Sequence, residues 1–193
     1  MKKFLLATFL MLSFASVGLC TTQDGVIDTS STGTIDISVT IPKMILINGL
    51  GSFNLSNILA TEFRDAPTSS DAGRTESQDI CVTSNMHQGE FYSVKAYDNG
   101  GGTGVFQLRN TETGNEADAL VYTVGFKDYT LANYVQLTYD TAKTQTFTSD
   151  GDGFQDTCVT PNAHVQIQFS KQVLHNAYHG TYTGTLTLVV APE

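Results

Sequence analysis

Residues 32–48 read TGTIDISVTIPKMILIN, and the fold turns on how this stretch is read. Ile35, Ile37, Val39 and Ile41 alternate strictly with Thr34, Asp36, Ser38 and Thr40, which is the period of a half-buried β-strand. Pro42 interrupts the pattern, and a second apolar run, residues 44–47, follows at once. Proline has no backbone N–H to give to a ladder, so it marks the end of a strand. Two roles fit such a segment. It is either the first strand of its own β-sandwich or a strand lent to a neighbour's.

Upstream, residues 1–20 read MKKFLLATFLMLSFASVGLC. Lys2 and Lys3 make a basic start, and residues 4–14 form an apolar stretch far shorter than the ~20 residues of a membrane-spanning helix. The small residues Ala15, Ser16 and Gly18 follow, completing the pattern of a cleavable secretory signal. The cut falls after Gly18 or after Cys20. Leu19 is bulky where a lipid-anchored cysteine needs a small residue before it, which argues against lipidation at Cys20.

Removing 20 residues from 193 leaves 173, enough for one domain with a real core. The formal charge of −9 becomes −11 once Lys2 and Lys3 are gone. That acidity argues against nucleic acid and anionic lipid as partners and favours solubility outside the cell. If Cys20 leaves with the signal, Cys81 and Cys158 remain as an even pair in an exported chain, which predicts a disulfide. Closing the loop from 81 to 158 contributes about 4 kcal/mol on the loop-entropy model.

Strand patterns recur along the rest of the chain. Tyr92, Val94 and Ala96 share one face of FYSVKAYD; Leu120, Tyr122, Val124 and Phe126 share one face of LVYTVGF. Val165, Ile167 and Phe169 do so in HVQIQFS, and Tyr182, Leu186, Leu188 and Val190 in TYTGTLTLVVAPE. Turn signals separate them at residues 98–102, 110–115, 149–153 and 179–180. Residues 61–77 are polar and read as a long loop, and no helical stretch is evident after the signal. The pattern is that of an antiparallel β-sandwich. The most regular strand, residues 181–190, has only Ala191, Pro192 and Glu193 after it. An immunoglobulin-like sandwich closes with a further strand, so the expectation is a fold one strand short, with an open edge.

A surplus strand at one end and a missing one at the other suggest donor-strand complementation, in which an extended segment adds to an exposed edge and its alternate side chains fill pockets. Repeated head to tail, this builds an open polymer. With the leading TGTIDISVTIP, the closing GTYTGTLTLVV and the secretion signal, the chain resembles subunits of chaperone–usher pili. The likeness is to the archaic type related to spore-coat-U-like domains and to class 5 fimbrial subunits.

The resemblance implies an incomplete immunoglobulin-like β-sandwich completed by a donated strand. It also implies three partners: a periplasmic chaperone, an outer-membrane usher, and neighbouring copies of the chain or related subunits. On this sequence the donor side chains are Ile35, Ile37, Val39 and Ile41, with Gly33 at a tight approach of backbones and Pro42 ending the exchanged strand. Tyr182, Leu186, Leu188 and Val190 line part of the acceptor groove. The corresponding division is a signal at 1–20, a donor extension at 21–41 and the sandwich at 42–193. Export through the periplasm to the cell surface follows. Many archaic-type subunits carry a cysteine just after the donor segment, and residues 42–50 here hold none.

Candidate chemistry is sparse. Asp150, Asp152 and Asp156 are spaced D-x-D-G-x-x-D on a glycine-rich turn, a pattern able to wrap calcium and similar to thrombospondin type 3 loops. Phe154 stands where a further ligand would be needed, and Asp-Gly is itself common turn chemistry, so a solvated acidic turn is the preferred reading and no metal is assigned. His175 and His179 have ligand spacing only on a helix, and they read as loop residues. Residues 99–104 are rich in glycine but join strands rather than opening a helix. No nucleophile motif is present, so no catalytic residue, enzyme activity or cofactor is expected. The leading expectation is a structural pilus subunit supporting adhesion or biofilm formation. The alternative is a self-contained secreted β-sandwich binding module, an adhesin or lectin-like domain.

Overall fold

The computed structural model describes residues 22, 23, 25, 27–55, 72–100, 104–114, 118–129, 131–146 and 158–193, and the chain divides into two units, Met1–Pro42 and Lys43–Glu193. In the first unit, Thr22–Gln23 (β1) and Thr34–Ile35 (β2) form a short antiparallel pair with Thr22 opposite Ile35. The strand expected through Ile41 is therefore only two residues long here. Residues 36–41 pair with no strand among the described residues. The reason is physical: a strand with one apolar face needs a surface to bury it against. Ile35, Ile37, Val39 and Ile41 are instead 73%, 91%, 83% and 70% exposed.

The second unit begins with Ile45–Asn48 (β3), Ala72–Ser84 (β4), Phe91–Asp98 (β5), Phe106–Asn110 (β6) and Leu120–Asp128 (β7). It continues with Val135–Leu137 (β8), Lys143–Thr146 (β9) and Ala163–Ser170 (β10). A one-turn helix, Lys171–His175 (α1), and the strands Tyr182–Thr183 (β11) and Leu186–Pro192 (β12) complete it. Every strand pair is antiparallel. A seven-stranded sheet runs β11-β6-β7-β10-β4-β3, with β8 also against β7; a three-stranded sheet runs β12-β5-β9.

The core lies between the two sheets and forms where alternation is strongest. In β7, Leu120, Tyr122, Val124 and Phe126 are buried while Val121 and Thr123 are exposed. Tyr92, Val94 and Ala96 of β5 meet Val165, Ile167 and Phe169 of β10 in one cluster, as the alternation of each predicts. Tyr139, Phe106, Tyr122 and Phe169 run through it as a chain of tilted aromatic contacts with centroids 5.4, 5.7 and 5.5 Å apart. The architecture is the expected antiparallel β-sandwich.

Three local expectations are corrected. Residues 72–77 belong to β4 rather than to a loop, while 61–71 lie outside the described residues. The inward-facing positions here are Arg74, Glu76 and Gln78, so the alternation carries no hydrophobic signal; the ladder to β10 holds the strand instead. A helix does form after β10: Ser170 caps it by accepting from the Val173 N–H at 3.2 Å, and Leu174 is buried beneath it. The single strand expected at 181–190 is two strands in different sheets, β11 on β6 and β12 on β5. Gly184 makes the crossing, where a Cβ would lie 2.9 Å from Leu108 Cδ2. Asn99 steadies the step from both sides, donating its N–H to the Thr185 oxygen at 3.2 Å and accepting the Thr185 N–H at 2.8 Å.

Candidate functional site

β12 lies at the end of its sheet, and among the described residues its second edge pairs with no strand. β3 likewise ends the larger sheet. The two strands are neighbours without sharing a ladder. At one end they are tied by Lys43, whose Nζ donates to the main-chain oxygen of Glu193 at 2.7 Å and pairs with Glu90 Oε1 at 3.1 Å. The Glu90 carboxyl accepts the His87 N–H at 2.7 Å, and that bond, with Lys43 second, holds it below the usual carboxylate range.

At the other end lies a groove of about 410 Å³. One wall is residues 50–53 with Leu55, Phe53 and Leu55 being half-buried; the other is residues 182–186 with Leu188. The floor is the core itself: Tyr122 of β7 and Val165, Ile167 and Phe169 of β10. Among the described residues no charged side chain lines it. A site of this kind accepts apolar side chains from an extended segment, and the unpaired edge of β12 offers main-chain donors and acceptors beside it.

The floor is rigidly set. The Tyr122 hydroxyl hydrogen-bonds to buried Asp98, and burial, with that carboxylate adding, pushes the phenol well above its ordinary value. Asp98 also accepts the N–H of Gln107 at 2.6 Å and of Gly100 at 3.1 Å. Gln107 and Arg109 then donate to the Gly100 oxygen at 2.7 and 2.8 Å.

Of the residues singled out by sequence, Tyr182, Leu186 and Leu188 line this groove. Val190 does not; it sits further along β12, half-buried against the core opposite Val94. Gly33, Ile35, Ile37, Val39 and Ile41 are all exposed in the first unit. Sequence reasoning missed Phe53 and Leu55, although they are two apart in GLGSFNL and so carry a weak strand-like signal. It read Tyr122, Ile167 and Phe169 only as core, because a groove floor and a filled core have the same inward-facing apolar pattern.

Cys81 and Cys158 are disulfide-bonded, with Cα atoms 5.4 Å apart. Asp150, Asp152 and Asp156 lie outside the described residues. His175 ends α1, whereas His179 is 95% exposed in the following loop, 3.8 Å from Glu112. Among the described residues no helix is long and apolar enough to cross a membrane.

No family model matches the sequence, and no curated protein matches it. Among solved structures, a chain of the chaperone–tip adhesin complex of CFA/I fimbriae is similar at a TM-score of 0.51 and 16% identity. The alignment covers 77% of this chain and 41% of that one. What the two share is the fold. CfaE, the adhesive subunit of the CFA/I fimbria of enterotoxigenic Escherichia coli, aligns at 0.45 and 17% identity over 67% of this chain and 39% of its own. A point mutant of that adhesin aligns at 0.46 and 15% identity over 68% and 39%. This chain thus spans less than half the length of the structures it resembles.

Proposed function

We propose that this chain is a non-enzymatic structural subunit of a surface pilus of the chaperone–usher type, assembled by donor-strand exchange. Residues 33–41 of one copy enter the groove of the next. The observation that carries the reading is a pairing of opposites within one chain. Four aliphatic side chains at alternate positions are exposed, and a groove with no charged lining among the described residues opens onto the core beside a strand edge that no described strand pairs. Laid along β12, the segment would direct Ile35, Ile37, Val39 and Ile41 inward and keep Asp36 outward, away from the apolar floor. Burying four such side chains contributes about 1.5–3 kcal/mol each before the costs of association.

The fold likeness to a chain from a fimbrial chaperone–adhesin complex supports this reading, and a periplasmic chaperone fits as a temporary occupant of the groove. An outer-membrane usher would then exchange that occupant for the next subunit, and the polymer would be displayed at the cell surface.

The test is an unboiled SDS gel of the protein beside a version lacking residues 33–41. A ladder that survives SDS, collapses on boiling and disappears with the deletion is expected. A single monomer band from folded full-length protein, with the deleted form unable to fold, would assign the segment to its own domain. The chain would then be a self-contained binding module.

A further inference from the structure

The outward face of the seven-stranded sheet carries a second depression, of about 180 Å³, away from the groove. Its bottom is Gly125 of β7, which stands between Gln136 of β8 on one side and Gln166 of β10 on the other. One ladder step along, Thr123 and Gln168 are partners and complete the rim. Gly125 is needed here for space. A Cβ would meet Tyr134 at 3.1 Å, so the missing side chain both deepens the sheet surface and lets Tyr134 stand as its wall. Lys127 Nζ lies 5.4 Å from the centroid of that ring, over its face, and His164 approaches it edge-on at 6.5 Å.

None of the amides of Gln136, Gln166 and Gln168 hydrogen-bonds a described residue. Each carries two donors and one two-fold acceptor, so three of them around one depression form an unusually dense set of open hydrogen-bonding groups. The neighbouring polar side chains do not compete for this place. His164 is paired with Asp79, and Lys127 faces the Tyr134 ring.

We infer that this depression is a binding site for a neutral sugar residue of a glycan. A sugar ring presents adjacent hydroxyls, which planar amides engage as donor and acceptor together, and it presents C–H groups, which favour the negative face of an aromatic ring. Among the described residues the rim holds no charged side chain, and Lys127 beside it is turned to the Tyr134 ring, so a neutral ligand fits the depression better than a phosphate, a sulfate or an acidic sugar. An added peptide strand is excluded as well, because β7 and β10 are interior strands whose main-chain groups are already paired. The site does not depend on how subunits assemble, since it lies on the face opposite the core.

The test is saturation-transfer difference NMR on the full-length protein with the methyl glycosides of glucose, galactose, mannose and N-acetylglucosamine. At least one sugar should receive saturation at millimolar concentration. Tyr134→Ala and Gln166→Ala should each weaken that binding at least about fivefold, the loss of one hydrogen bond or its equivalent. Thr187→Ala, on the other sheet, should leave it unchanged. Circular dichroism checks that each variant keeps its sheet, and Gln136→Ala, at an exposed position of β8, replaces any variant that does not. Absence of saturation with all four sugars overturns the proposal, and so does binding that survives the rim substitutions.

Discussion

Asp98 shows how much one buried carboxylate organises. It ends β5, is buried, and accepts the backbone N–H groups of Gln107 and Gly100 as well as the Tyr122 hydroxyl, while Tyr139 donates to its main-chain oxygen at 3.2 Å. Asp98→Ala would leave those donors without an acceptor, so stability should fall by about 2–4 kcal/mol, read from the urea midpoint. A shift of only a few tenths would mean water replaces the carboxylate. Tyr92 and Tyr122 offer a pH test. Burial, assisted by Asp128 and Asp98 respectively, raises both phenols above their ordinary value of 10.0. The unfolded chain ionises at that ordinary value while the folded chain does not. The stability this contributes is therefore complete below pH 10 and is lost as pH rises beyond it. In an alkaline titration at the phenolate absorbance, at least two of the eight tyrosines should remain protonated until the sheet signal collapses. Smooth titration of all eight in folded protein would contradict the assignment. At this scale the sequence showed Asp98 only as a turn residue, because its partners at 100, 107 and 122 are assembled by the fold.

The legible elements are those with one face in the core. β5, β7 and β10 declare themselves because their inward positions are apolar, apart from Asp98 and Asp128 at the ends of β5 and β7, and the outward ones mostly polar. β4 does not, since its first half turns Arg74, Glu76 and Gln78 to the inward face, the first two paired at 3.2 Å. β12 was legible as a strand but not as a change of sheet, which depends on where Gly184 and Asn99 meet. The segment at 33–41 has the clearest alternation of all and almost no strand pairing, because what it lacks is a surface, not a propensity. If residues 33–41 fill the groove of the next copy as proposed, Ile37→Asp and Val39→Asp would each put a carboxylate into an apolar groove, at a cost of several kcal/mol. Both should abolish the SDS-resistant ladder while the monomer's denaturation midpoint stays unchanged. Asp36→Ala, on the alternate face, should preserve the ladder. If all three behave alike, alternation in this segment has no bearing on assembly.

Across the whole molecule the Cys81–Cys158 bond ties β4 to the approach of β10, beside the point where Ile80 pairs with Ala163. Replacing both cysteines by serine should lower stability by about 2–5 kcal/mol, measured by denaturant unfolding of both forms without reductant. An unchanged midpoint would show that the sheet ladder alone fixes that corner. The antiparallel sandwich, the disulfide pairing and the alternating segment ended by Pro42 were legible in local pattern: period-two alternation, and the two cysteines that remain when residues 1–20 are read as a signal. Tertiary structure alone decided which apolar residues form a floor and which a filled core. It also decided that β11 and β12 lie in different sheets and that three glutamines surround Gly125. These facts are set by contacts between residues far apart in the chain, and alternation records only that a side chain faces inward, not what lies above it.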